Sequence, residues 1–207
     1  MKTLKLVFAI ILISLFACDK KNNLTNEQIS QIEYEIKQLK TVEAKKIYLE
    51  NIFDDDQAVR DDSDLVLSHG IDSPEYLKFK KAQSKQDEIN LVKIEKYLET
   101  YGYPDKKMGK TATTSPWVVI HHSDSNDVRE RNFEIIYEAY LKGNIKENAM
   151  SFYLGRMYSI KNGERLRMKS PYKQDDEINL LIKKLNLEKK KIRVQQQNEK
   201  NTQDNSP

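Results

Sequence analysis

Apolar positions recur along this chain with the spacing of helices. Ile29, Ile32, Ile36, Leu39, Val42 and Ile47 fall three to five residues apart, and Thr25 with Gln28 makes a capping box ahead of them. The pattern predicts a first helix from about Asn26 to Phe53. Asp54-Asp55-Asp56 either continues it or opens the next element, which carries Gln57, Arg60, Leu65 and Leu67 to a stop at His69-Gly70.

Ser73-Pro74 reads as cap and first turn of another helix, with Leu77, Ile89, Val92, Ile94, Tyr97 and Leu98 striping it up to Gly102. The main loop follows, from Gly102-Tyr103-Pro104 through Gly109 to Ser115. Ser115-Pro116 repeats the cap-and-proline signal, so Trp117-Val118-Val119-Ile120 reads as the start of a buried helix, with a short β-branched strand as the alternative. Phe133, Ile136, Tyr137 and Tyr140 mark a helix from Val128 to Leu141. Met150, Tyr153, Leu154, Met157 and Tyr158 mark one from Asn148 to Ile160. A last helix is expected from about Asp175 to Val194. The segment from Leu185 to Lys200, rich in Lys and Glu, carries only a thin apolar stripe and reads as a solvated helix end. Residues 195–207 are polar and are expected to be disordered. The fold class is mostly α, one multi-helix domain over residues 26–194.

The N-terminus breaks this pattern. Lys2 and Lys5 precede an apolar run from Leu6 to Ala17, interrupted only by Ser14. Twelve residues fall short of the roughly 20 that span a bilayer and fit the core of an export signal. The run ends Leu15-Phe16-Ala17-Cys18, which resembles the cleavage box of bacterial lipoproteins, with Phe16 bulkier than the residue usual there. That resemblance implies a signal peptide over residues 1–17, lipidation (a palmitate-bearing anchor) on Cys18, a tether over 18–25, and a place in the cell envelope on the periplasmic or outer-membrane side. Cys18 is the only cysteine, so no internal disulfide can form.

With 207 residues, 35 Lys and Arg against 32 Asp and Glu, 6 Gly and one Cys, a disulfide scaffold, a collagen-like repeat and a multi-span membrane protein are excluded. Loss of Lys2 and Lys5 with the signal takes the formal charge from +3 to +1. That balance gives no reason to expect nucleic acid as a partner. The membrane is then met through the lipid on Cys18.

Four runs in order resemble a bacterial family catalogued as domain-of-unknown-function family 6624: Asp55-Asp56-Gln57-Ala58-Val59-Arg60, Gly102-Tyr103-Pro104 with Gly109 downstream, Ile120-His121-His122-Ser123-Asp124, and Leu154-Gly155-Arg156 with Asn162-Gly163. The similarity covers roughly Phe53 to Leu187. Three departures stand out. His121 replaces the family's Gln, Gly155 replaces its Asp before Arg156, and the Gln-x-Tyr-Gly-Thr-Gln run expected after Gly163 is replaced by Arg165 to Tyr172. The resemblance implies no established activity.

The candidate chemistry lies in those runs. Asp56 and Arg60, four apart, share a helix face, and with Gln57 they make either a carboxylate-held arginine fork for an anionic or amide group or a plain surface ion pair. His121, His122 and Asp124 form the densest titratable cluster. Adjacent helical side chains diverge by about 100°, so one histidine faces the core and the other a cleft. A buried histidine bonded to backbone is the plainer alternative. Three His, no spare Cys and no H-E-x-x-H spacing argue against a zinc site, and no phosphate-cradling glycine loop, G-x-G-x-x-G or G-x-S-x-G is present. No metal and no cofactor are therefore expected. Arg156 either meets Asp124 or Asp56 as a pair or turns a guanidinium into a pocket.

Three functions compete. The first is a lipid-anchored binding or interaction module using Asp56, Gln57, Arg60, His122 and Arg156 on a small polar ligand or an envelope partner. The second is a hydrolase-like enzyme with His122 as general base, Asp124 orienting it and Arg60 or Arg156 stabilising negative charge. The third is a structural domain in which the same groups form a buried network.

Overall fold

The computed structural model describes residues 24–204, all helix and connection with no strand among them. The expected signal peptide, Cys18 and the tether up to Asn23 lie outside the described residues. No described helix is long and apolar enough to cross a membrane.

The first expected helix is two. α1 (Asn26–Lys37) opens on the capping box, Thr25 and Gln28 each bonding the other's backbone amide. It ends before Thr41, whose hydroxyl accepts from the Ala44 amide and starts α2 (Val42–Ala58). A threonine cap offers the chain a fresh start that apolar spacing does not reveal. The acidic run Asp54-Asp55-Asp56 continues α2. After α3 (Ser63–His69), Ser73 and Pro74 begin α4 (Pro74–Tyr101) as expected.

Ser115-Pro116 does not start a helix. α5 runs Lys110–His122 with Pro116 inside it. Its true beginning is Gly109 at φ 95°, a left-handed backbone that a Cβ would strain, after a short 3₁₀ turn at Lys106–Met108. Thr113 reinforces the first turn by donating its hydroxyl to the Gly109 carbonyl at 2.7 Å. Trp117 to Ile120 are helical, not a strand. α6 (Asn126–Leu141) and α7 (Glu147–Asn162) lie close to their expected bounds.

The last expected helix is also two, α8 (Gln174–Lys184) and α9 (Glu188–Asp204), divided at Asn186, which takes φ 63°. The first half of α9 is not a solvated end: Leu187 just before it and Val194 are buried against the rest, Lys190 donates to the Glu130 carbonyl, and Arg193 pairs with Glu134, while Ile192 is half exposed and no residue from Gln195 to Lys200 is buried. The helix packs on α6 up to Val194 and continues to Asp204, so the stretch from Gln195 to Asp204, expected to be disordered, is helical.

Packing follows the apolar stripes. α5 lies in the middle, against α2, α4 and α6, and α7 bridges α6 to α8. Ile52, Ile94, Ile120, Phe133, Ile136, Met150, Tyr153, Leu154 and Leu181 are all fully buried in one continuous core. Because α5 is central, its two C-terminal histidines face different neighbours.

Candidate functional site

His122 turns toward α2. Its Nδ1 lies 3.0 Å and 2.9 Å from the two carboxylate oxygens of Asp56, a side chain only 1% exposed. The same carboxylate accepts from Arg60 Nη2 at 2.8 Å and from Gln57 Nε2 at 2.8 Å. Arg60 in turn forks onto Asp87 of α4 through Nη1 at 3.1 Å and Nη2 at 2.5 Å. Burial pushes the Asp56 carboxyl up, but the hydrogen bonds and charges of His122 and Arg60 outweigh it and hold the pKa below the usual range.

So Asp56, Gln57, Arg60 and His122 do come together, in a network tying α2, α4 and α5. Asp87 belongs to it and was not singled out in the sequence, where it is one acid among many in α4. Arg60 has both guanidinium ends committed to carboxylates, so it has no fork left to offer a ligand.

Asp124 does not orient His122. It lies beyond the end of α5, is 85% exposed at the side chain, and accepts from Arg156 Nη2 at 2.8 Å. Asp56 takes the orienting position because α2 packs directly along α5, whereas the chain after Ser123 has already turned outward. Arg156 is thus separated from the other four candidate residues.

His121 turns away from Asp56, about 100° around the helix from His122, although the two rings still lie 6.0 Å apart, tilted by 58°. Its ring stacks on Trp117 at 5.1 Å and meets Phe152 of α7 at 5.3 Å. The residue is 6% exposed, and Nδ1 is buried without a partner. Burial, with the charges of Arg129 and Arg156, pushes its pKa down to about 4, so the ring is neutral at neutral pH. Arg129, fully buried, donates to the backbone carbonyls of His121 and Ser123 and so closes the C-terminus of α5. Burial and the charge of Arg156 push Arg129 down to about 10.

His121 and Arg156 line a concavity of about 320 Å³ between α7, the connection after it and the start of α8. Ser151 and Ser159 from α7, Arg165 from the connection and Glu177 from α8 supply its other polar groups. Ser151 donates to Glu177 at 2.6 Å. Arg156 Nε is buried without a partner. Gly155 lies on the wall, and a Cβ there would meet nothing within 4 Å. His121, Gly155 and Arg165 thus stand together on this pocket.

The pocket is not legible in the sequence because its residues come from four segments, the end of α5, α7, the connection after it and α8, brought together only by tertiary packing. Among the described residues, no three His, Cys, Asp or Glu side chains are grouped in a way that could hold a metal ion. No protein-family model, curated protein or solved structure matches the chain.

Proposed function

We propose that the protein is a lipid-anchored binding module of the cell envelope that takes a small polar ligand bearing negative charge into the pocket beside α7. The observation that carries this is the pair of arginines, Arg156 and Arg165, in one concavity whose wall also includes His121. A volume of about 320 Å³ lies at the small end of ligand sites, which begin at roughly 300 Å³. Guanidinium donors suit carboxylate and phosphate oxygens, and the rings of His121 and Phe152 offer an apolar wall. The export signal and Cys18 supply the anchor in this reading.

The test is calorimetric titration of the purified protein with small carboxylates and phosphates, for wild type, Arg156→Ala and Arg165→Ala. Binding that is lost in both variants, with the fold intact by circular dichroism, supports the reading. Equal binding by all three proteins overturns it.

The Asp56–His122 contact favours a second reading. A buried carboxylate on Nδ1 fixes the imidazole tautomer and leaves Nε2 as a base, the arrangement of a hydrolase. Arg60 is not available to stabilise charge there, because Asp56 and Asp87 hold it. Ester or peptide hydrolysis abolished by His122→Gln would carry this reading over the first.

A further inference from the structure

The pocket offers charge of both signs. Glu177 lines it together with Arg156 and Arg165, and none of the three forms an ion pair with another, Arg156 pairing instead with the exposed Asp124. Among the described residues Glu177 bonds only the Ser151 hydroxyl through its side chain, leaving its second carboxylate oxygen open, and the Arg165 side chain bonds nothing. Glu177 lies in the first turn of α8, where the helix dipole favours its negative charge. Opposite charges kept apart in one concavity match a ligand that carries both.

We propose that the ligand is a zwitterion, an amino acid or a very short peptide, with its carboxylate on Arg165 and Arg156 and its ammonium on Glu177. This rests on the reading that the pocket beside α7 is a binding site, and deepens it by naming the ligand class. Phe152, Leu166 and the neutral His121 ring line the same space and receive the apolar body of the side chain. At about 3.5 Å of reach per residue, a pocket of this size admits one or two residues and excludes a longer chain. Gly155 keeps the wall open, and a Cβ there would meet nothing within 4 Å.

The test titrates the full mature protein with free leucine, the dipeptide Ala-Leu, N-acetyl-Ala-Leu, Ala-Leu amide, acetate and phosphate. A free zwitterion is expected to bind, and each cap to weaken it by about tenfold or more, the worth of one hydrogen bond to a charged group. In Glu177→Gln, which can keep the Ser151 bond, the N-acetyl form should bind as well as the free dipeptide. Leucine against Ala-Leu separates amino acid from peptide. If acetate, phosphate or the N-acetyl form binds wild type as tightly as the free dipeptide, the zwitterion proposal falls while the pocket remains an anion site. If the amide binds equally, the proposal falls too. If nothing in the series binds, or Gly155→Leu binds as wild type does, both readings fall. The capped ligands decide the matter on wild type alone, whatever the variants' stability.

Discussion

Asp56 on α2 and His122 on α5, 66 positions apart in the chain, meet with 2.9 Å between carboxylate and Nδ1. The contact closes a network that also holds Arg60 and, through it, Asp87 on α4. Removing one partner of a buried charge set leaves the others uncompensated. Asp56→Asn should therefore lower unfolding free energy by about 3 to 5 kcal/mol, read by urea denaturation.

The same residue sets an acid limb. A carboxyl whose folded pKa lies below its unfolded value of 3.8 stabilises the fold above that value and is lost as pH falls through the folded pKa. Wild type should lose stability below about pH 4 more steeply than Asp56→Asn. Parallel curves in that range would show that the network does not act through ionised Asp56.

His121 gives a separate window. Its folded pKa of about 4 lies under the unfolded 6.5, so between these values the unfolded chain binds the extra proton and stability falls on acidification. The two values differ by enough to cost about 3 kcal/mol at the acid end. His121→Phe, which keeps a ring against Trp117 and Phe152, should flatten the curve between pH 6.5 and 4, where Asp56→Asn should not.

Gly155 sits inside α7 with room for a Cβ. Gly155→Ala should raise stability by about 0.5 to 1 kcal/mol, because glycine loses more backbone freedom in a helix than alanine. A fall in melting temperature instead would mean that the pocket wall does not tolerate the methyl.

Cys18→Ala should abolish lipid labelling and membrane association of the expressed protein. Retained labelling would overturn the anchor.

Much of this molecule was legible in one dimension. The apolar spacing predicts a helical chain, and the Thr25 and Ser73 caps start α1 and α4 where the sequence indicates, because a cap and its first turn are local. The Asp56–Arg60 pair is legible for the same reason, being one helical turn. Divisions at Thr41 and Asn186 are not, since apolar residues on both sides keep helical spacing while the backbone turns. Pro116 shows the converse: its strong local start signal is overridden by the packing of α5 from Gly109 onward.

Only the tertiary structure decided which histidine met which carboxylate. Sequence proximity joined His122 to Asp124, but α2 lying along α5 brought Asp56 to the ring, and the turn after Ser123 carried Asp124 out to Arg156. The pocket was equally invisible, because His121, Arg156, Arg165 and Glu177 come from four separate segments whose juxtaposition exists only once α5, α7 and α8 are packed together. Local backbone chemistry wrote the helices into the sequence; long-range burial chose the partners of the charged groups.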